Sequence, residues 1–450
     1  MGLELTGLLV ANAGYVAVGA ALLAALGMLT WPRLAVALPL GLVTIVVPSS
    51  YLALAGVPVG WTAFVVGALV CAAGVWRTRA WRRLPALPRP GRPGPHGLAG
   101  LLVGGVLAVL LVYAARTFAI RPLVEWDAWG VWTAKARLLY VDPSIAASAL
   151  RSGDYGQTPY PIGLPTVEAL GFGAMGQYDP TLIGVQFILL AMSFPLALWA
   201  ITRRHARPWV IALAALAVVG APQILYQLLT HYADVPLGLF VGLGVASGGA
   251  WLAGRGEPWL LVCFAAFLGM AGITKSEGFL FALVGAFAFA ATVLATRERA
   301  RFVPAAYGVA GVLAVIMPWR LYCSAYGLTT PDYNLSNIAN VSYLRAHESR
   351  VGPVVRELLR QLRATDKWAL LTWVILLALA AGLAAGRWRV LGFAVLWLAL
   401  SSAGLVLLYW VSNLPLASNI TNTSYRTIVS LLVGGAALVP LLVFPEEEPE

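Results

Sequence analysis

The chain has 450 residues, of which 60% are hydrophobic and only 11% are charged, and its net charge is +11. A soluble domain carries about 25% charged residues, so the composition excludes a soluble enzyme, a disordered chain and a coiled coil. Unbroken apolar runs of about 20 residues also exclude a lipid-facing β-barrel, whose strands would alternate. We therefore expect an all-α polytopic membrane protein, in which positive charge indicates topology and not nucleic-acid binding.

The apolar runs predict about 13 membrane spans, because a hydrocarbon core of about 30 Å requires about 20 helical residues. In chain order they cover roughly residues 5–29, 34–55, 59–76, 98–120, 181–201, 209–229, 234–253, 258–273, 276–296, 303–321, 368–385, 388–410 and 427–444. The pattern predicts three parts. These are N-terminal helices with a Pro/Arg linker (1–97), a core module with a first long loop at 121–180 (98–321), and a second long loop with C-terminal helices (322–450).

Arginines concentrated in one set of short connections predict the orientation of these spans. Connections rich in Lys and Arg face the cytoplasm. The residues concerned are Arg33, Arg77, Arg79, Arg82, Arg83, Arg89, Arg92, Arg203, Arg204, Arg207, Arg255, Arg297, Arg299, Arg301, Arg387 and Arg389. Both long loops then lie outside, where they are expected to carry membrane-surface helices. The Arg- and Ala-rich composition is typical of a bacterial chain, so we expect a multi-pass cytoplasmic-membrane protein with its chemistry on the outer side.

The first long loop opens with a tryptophan-rich segment that surrounds a carboxylate. Trp126, Trp129 and Trp132 recur every third residue and predict one aromatic face of a helix on the membrane surface. An interfacial aromatic belt explains the tryptophans but not Asp127 among them. A carboxylate in such surroundings needs a partner or has a raised pKa, and it suits a general base. Lys135, further along, is either a snorkelling lysine or a ligand for a phosphate.

Three further external segments carry polar residues. Tyr160 lies in a loop rich in Pro and Gly that either is an ordinary turn or lines a binding site. His231 and Asp234 precede a span; Asp234 is well placed as a helix cap, and two potential ligands without a third are weak evidence for a metal. Lys275 and Glu277 divide an apolar run and either pair with each other or contact a phosphate.

Arg426 precedes the final span, where the sequence predicts the N-terminus of a helix. A cation there opposes the helix dipole, and a bound phosphate would resolve the conflict. The alternative is an interfacial arginine that contacts lipid phosphates. The sequence contains neither a GxxxxGK[ST] loop nor an HExxH motif, so an ATP-driven pump is not expected, and no cofactor or metal is indicated.

The order of these motifs resembles the GT-C class of polytopic glycosyltransferases, which includes protein O-mannosyltransferases and bacterial lipid A aminoarabinose transferases. The resemblance covers about residues 98–444, so residues 1–97 would be an addition. The matching segments are Glu125–Trp129, Lys135–Arg137, Tyr160–Pro165, Tyr232–Pro236, Thr274–Gly278 and Thr423–Arg426. In that class an acidic residue lies in the first long external loop, and here this position is Asp127.

The resemblance implies an inverting transfer of a sugar from a polyprenyl-phosphate donor to an extracytoplasmic acceptor, which would be a cell-envelope glycan, a lipid or a protein. Asp127 would be the catalytic base. The cations expected to bind the donor phosphate are Lys135, Lys275 and Arg426, and the residues expected to contact substrates are Glu125, Tyr160, His231, Asp234 and Glu277. Two alternatives stay open, namely a transporter or flippase of a lipid-linked sugar and a non-catalytic assembly partner in the membrane.

Overall fold

The computed structural model describes residues 2–78, 95–120, 123, 125–153, 157–330, 332 and 335–443. Within these ranges every regular element is a helix, which confirms the all-α prediction. Ten of the described helical stretches are long and apolar enough to cross a membrane, or up to 11 if the bent pair Pro208–Val219 and Pro222–Leu229 counts as one span. The protein is therefore a polytopic helical membrane protein.

The helices follow each other with few long connections. The first group is α1 (Gly2–Ala25), α2 (Ala37–Ala53), α3 (Val59–Thr78), α4 (Pro95–Ile120), α5 (Thr133–Val141), α6 (Pro143–Ser152), α7 (Gly163–Met175), α8 (Gly184–Thr202), α9 (Pro208–Val219) and α10 (Pro222–Leu229). The second is α11 (Asp234–Ala253), α12 (Pro258–Thr274), α13 (Ser276–Thr296), α14 (Arg299–Ala325), α15 (Val341–Ala346), α16 (Val351–Leu362), α17 (Thr365–Trp368), α18 (Leu371–Ala384), α19 (Trp388–Trp410), α20 (Leu416–Thr427) and α21 (Val429–Leu442).

Each of the 13 predicted apolar runs coincides with one or two helices, but these helices differ in length. The run at 209–229 is broken into α9 and α10, which meet at an angle of 55°. Helices α12 and α18 have 17 and 14 residues. At 1.5 Å per residue they extend about 26 Å and 21 Å, less than the hydrocarbon thickness of about 30 Å. For these two helices a complete crossing of the membrane stays a prediction.

Helix α11 lies at the centre of the bundle, and all of its residues from Asp234 to Leu252 are buried. Its glycines let neighbouring helices approach closely. An added Cβ at Gly244 would stand 2.7 Å from Leu268 of α12, and one at Gly242 would stand 3.0 Å from Val433 of α21. Small residues at such contacts are typical of helix packing in membranes. The buried position of α11 places its first residue, Asp234, in the middle of one end of the bundle.

The N-terminal helices pack into the same hydrophobic core as the rest of the described chain. Helix α1 lies against α2, α3 and α7. Asn12 on α1 and Gln186 on α8 donate to each other's side-chain carbonyl at 2.8 and 3.0 Å, so the pair satisfies two buried amides. The helices of residues 2–78 are therefore built into the body of the protein.

Several of the connections that the arginine pattern assigns to one side contact each other at one end of the bundle, whereas the arginines predicted there at 79–94 lie outside the described residues. Arg33 and Arg204 both bind the carboxylate of Glu257, and Arg389 binds Glu298. Glu257 precedes α12, whereas Lys275 follows it. Because α12 separates these two residues along its length, the basic connections and the Lys275 turn lie at opposite ends.

A glycine substitution tests the close packing of α1 against α2. A Cβ at Gly41 would stand 1.8 Å from the Tyr15 carbonyl oxygen, whereas a Cβ at Gly104 on α4 would meet nothing within 4 Å. We expect Gly41→Ala to lower the free energy of unfolding by about 1–3 kcal/mol through overpacking. Gly104→Ala should be neutral or stabilise by up to about 1 kcal/mol, because alanine favours helix. Thermal unfolding in detergent measures both, and equal midpoints for the two variants would contradict this packing.

Candidate active site

Five charged side chains from four separate segments form a connected ion-pair cluster at the end of the bundle away from Glu257. The cluster consists of Asp127, Asp234, Lys275, Glu277 and Arg426. Asp127 comes from the first long loop, Asp234 from the start of α11, and Arg426 from α20. Lys275 and Glu277 come from the α12–α13 junction. The structure therefore brings together five of the nine side chains that the sequence indicates as site residues.

Arg426 is the link between the two aspartates. Its Nη2 donates to Asp127 Oδ2, and its Nε and Nη2 donate to Asp234 Oδ2 at 3.2 and 3.1 Å. Lys275 Nζ donates to the other oxygen of Asp234, Oδ1, at 2.7 Å and lies 3.1 Å from Glu277 Oε1. Asp234 thus receives charge-assisted hydrogen bonds from two cations.

Exposure varies systematically along the cluster. The side chains of Asp234, Lys275 and Arg426 are 2%, 6% and 9% exposed, whereas that of Asp127 is 32% exposed. Burial lowers the pKa of Lys275, but the neighbouring carboxylates of Asp234 and Glu277 outweigh burial, and its pKa is raised. The buried members are therefore held as ions by each other, and Asp127 is the member that an external group can reach.

The chain reverses direction sharply at the junction between α12 and α13, where Lys275 lies. Lys275 is extended, with φ −151° and ψ 160°, and α13 starts at the next residue. An added Cβ at Gly278 would stand 1.9 Å from the Ala271 carbonyl oxygen. Only glycine permits such a close approach of the two helices, which brings Lys275 over the start of α11.

The position of Arg426 corrects a prediction. Arg426 lies in the last turn of α20, and α20 and α21 together form an apolar helical stretch from Leu416 to Leu442. The expected helix N-terminus at Arg426 is therefore wrong. The polar residues of this segment fit a helix because Thr421 and Thr423 donate to the carbonyls four residues earlier, both at 2.8 Å. Asp127 and Asp234, and not a helix dipole, set the environment of Arg426.

Two other local predictions are also wrong. Asp234 does not cap α11; Ala233 occupies that position, and the Asp234 carboxylate points to Lys275 and Arg426 instead. The three tryptophans do not share one face, because residues Asp127–Trp132 form a π-helix whose wider turn changes the spacing. Trp126 and Trp129 are exposed, whereas Trp132 is buried with its ring 5.7 Å from that of Tyr160.

Glu125 adjoins the ion-pair cluster through tyrosines. The hydroxyls of Tyr226 and Tyr232 each donate to a Glu125 carboxylate oxygen at 3.0 Å. The guanidinium carbon of Arg426 lies 4.0 Å from the centre of the Tyr232 ring, a cation–π contact. Burial raises the pKa of Tyr232, so its hydroxyl stays protonated and serves as a donor. Tyr232 therefore connects Glu125 to Arg426 and fixes one face of the guanidinium.

Lys135 lies outside the cluster, contrary to the expected role as a phosphate ligand. Its ammonium donates to the backbone carbonyls of Gln157, Thr158 and Tyr160 at 2.6, 3.4 and 2.8 Å, and the residue is 1% exposed. Residues 157–160 thus surround the amine with carbonyl oxygens. Lys135 therefore holds the loop that carries Tyr160.

His231 packs against a residue outside the ion-pair cluster. Its ring packs against Phe187 with ring centres 5.5 Å apart, and the residue is buried. Burial lowers its pKa to about 4, so the imidazole is neutral at physiological pH. Its backbone has φ 57°, an uncommon conformation outside glycine that makes the turn between α10 and α11. The structure gives His231 a role in shaping the turn before Asp234.

Tyr160 belongs to a polar cavity of about 100 Å³ that reaches the cluster at Glu277. The Tyr160 hydroxyl donates to Asp332 Oδ2 at 2.9 Å. The residues that line this cavity are Tyr160, Glu277, Asp332, Leu405, Leu408, Tyr409, Ser412, Leu414, Asn419, Thr423 and Thr427. The sequence did not single out Asp332 or Tyr409, because each is one polar residue beside an apolar span with no local motif.

Within the described ranges, no group of three or more His, Cys, Asp or Glu side chains is arranged to hold a metal ion. Comparison of the chain with protein-family models, with curated proteins and with solved structures gives no significant match.

The role of Lys135 can be tested by removing its amine. Lys135→Met removes a donor from three loop carbonyls, and each hydrogen bond contributes about 0.5–1.5 kcal/mol. We expect faster backbone hydrogen exchange in the loop that contains residues 157–160 and a lower free energy of unfolding. Lys367→Met is the matched control, since the Lys367 ammonium donates to a single side-chain amide, that of Gln361. Unchanged exchange in Lys135→Met would show that this lysine does not hold the loop.

Proposed function

We propose that the protein is a GT-C-like membrane glycosyltransferase that transfers a sugar from a polyprenyl-phosphate donor to an extracytoplasmic acceptor. The observation that supports this most directly is the Arg426 bridge between an accessible carboxylate, Asp127, and a buried one, Asp234. A phosphate ligand and a general base would thus be in direct contact. Transfer of a sugar from a lipid phosphate requires both functions at neighbouring positions.

In the proposed reaction Asp127 accepts the proton of an acceptor hydroxyl. The acceptor oxygen forms a bond to the anomeric carbon from the side opposite the phosphate, while the bond from that carbon to the phosphate oxygen breaks. The configuration is inverted, and the electron pair of the broken bond stays on the polyprenyl phosphate. Arg426 and Lys275, already oriented by Asp234, stabilise the charge that develops there, so little reorganisation is needed during the reaction.

The exposure of Asp127 favours its exchange for a phosphate. Three carboxylates face two cations, so the charges of the other four members balance when Asp127 leaves the cluster. Asp127 is the carboxylate with the greatest exposure among them. A donor phosphate that binds Arg426 would displace Asp127 at the lowest desolvation cost. This exchange would release the carboxylate to act as the base.

The distribution of buried ion pairs favours an enzyme over a transporter, although Lys135 and Glu168 are also buried outside the cluster. In the part of the chain that the structure describes, the ion-paired side chains with less than 10% exposure are Asp234, Lys275 and Arg426, all within this cluster. A transporter that alternates its access would need functional polar groups near mid-span or at both ends. A single buried cluster at one end suits chemistry on one side of the membrane.

The transfer reaction can be tested with the purified protein in nanodiscs. We expect it to release the sugar from at least one member of a panel of radiolabelled polyprenyl-phosphate sugars when an envelope extract supplies the acceptor. Asp127→Asn removes the proton acceptor and should lower turnover by about 10²–10⁴-fold. Asp366→Asn, on the exposed surface of α17, is the matched control and should retain turnover. Normal turnover in Asp127→Asn would exclude Asp127 as the base, and no release from any donor would contradict the proposed function.

Phosphate binding by Arg426 must be separated from its structural role. Arg426→Gln leaves Asp127 and half of the Asp234 interactions unpaired, and breaking a buried ion pair costs up to about 3–5 kcal/mol. The double variant Asp234→Asn/Arg426→Gln removes both charges and should recover much of the lost stability. Affinity for polyprenyl phosphate should fall at least about tenfold in both variants, since hydrogen bonds to charged groups contribute at least ~1.5 kcal/mol. Normal affinity in the stable double variant would remove Arg426 from the phosphate site.

A further inference from the structure

The polar cavity beside Glu277 adjoins the ion-pair cluster without being part of it. Glu277 lines the cavity, and its Oε1 lies 3.1 Å from Lys275 Nζ. The cavity walls come from the loop before α7, the segment after α14, and helices α13, α19 and α20. A group bound in the cavity would therefore lie next to a phosphate held by Lys275 and Arg426.

The hydroxyl and amide groups of the cavity are held in place by each other. The Tyr409 hydroxyl is hydrogen bonded to those of Thr423 and Thr427 at 2.8 and 3.1 Å. Asn419 Nδ2 donates to Ser412 Oγ at 3.0 Å. These groups sit on or next to α19 and α20, and rigid elements with mutually bonded side chains hold a binding site precisely enough for specificity.

The remaining wall is apolar and is formed by three leucines, Leu405, Leu408 and Leu414. A pocket with a few fixed polar groups and an apolar wall suits a small molecule that has both hydroxyls and a C–H face. A sugar ring has this composition.

Two carboxylates give the cavity its charge. Asp332 accepts a hydrogen bond from the Tyr160 hydroxyl at 2.9 Å. Glu277 Oε2 is buried and accepts no hydrogen bond within the described residues. A buried acceptor without a donor is unfavourable, and a ligand hydroxyl or ammonium would supply the donor. No lysine or arginine is among the described residues that line the cavity.

We propose that this cavity is the sugar subsite and that it accepts neutral or positively charged sugars but excludes uronic acids. A hydroxyl or ammonium would donate to Glu277 and Asp332, whereas the carboxylate of a uronic acid would meet two like charges. Like charges brought together in a binding site are unfavourable and provide specificity by repulsion. This inference rests on the proposed function, because it names the class of sugar that the same site transfers.

The test compares the binding of four probes to the wild-type protein in nanodiscs. These are polyprenyl phosphate alone and polyprenyl phosphate that carries a hexose, a hexosamine with a free amine, or a hexuronate. The hexose and hexosamine forms should bind at least about tenfold more tightly than the hexuronate form, given the cost of like charges. In Asp332→Asn the difference should shrink to below about threefold, and in the surface control Glu348→Gln it should not change.

The outcomes separate this inference from the proposed function. Hexuronate binding as tight as that of hexose would overturn the subsite, even if sugar transfer is observed. Equal affinity for polyprenyl phosphate with and without a hexose would overturn it as well. Discrimination between the sugars without any transfer would support the subsite and would count against the transferase. The comparison of the four probes on the wild-type protein tests the subsite even if Asp332→Asn fails to fold.

Discussion

The architecture of the candidate site depends on one buried carboxylate, that of Asp234. A carboxylate with 2% exposure cannot stay ionised without partners, because removing an isolated charge from water costs far more than a protein can supply. Lys275 and Arg426 provide these partners from the α12–α13 junction and from α20. The requirement to pair Asp234 therefore brings three distant segments of the chain together at one end of α11.

The remaining parts of the site follow from the position of Arg426. Its guanidinium reaches the first long loop at Asp127 and stacks on Tyr232, which in turn holds Glu125. Arg426 thus contacts the proposed base, Asp127, and the ring of Tyr232, and it is itself part of the proposed phosphate site. In our proposal a phosphate that binds Arg426 takes the place of Asp127, so donor binding and activation of the base are coupled through a single side chain.

The sequence predicted the helical frame and singled out the five members of the ion-pair cluster, but of their contacts it offered only the Lys275–Glu277 pair. Apolar runs are local signals, and the structure confirms helices at those runs. The pair Asp127–Arg426 is 299 residues apart in sequence, and no local pattern indicates it. Lys135 and Trp132 were misjudged because a folded loop and a π-helix determine their surroundings. The helix before Arg426 was not predicted, because Thr421 and Thr423 satisfy their hydroxyls on carbonyls of α20 and allow this polar segment to be helical.

The displacement of Asp127 from Arg426 is the central claim, and a binding measurement tests it most directly. The affinity for polyprenyl phosphate without a sugar is compared between the wild-type protein and Asp127→Asn in nanodiscs at low salt. If the phosphate competes with Asp127 for the guanidinium, removing the carboxylate charge eliminates the competitor, and Asp127→Asn binds the lipid phosphate several-fold more tightly while it loses turnover. Weaker binding by Asp127→Asn would contradict the claim, because Asp127 would then support the phosphate and not compete with it.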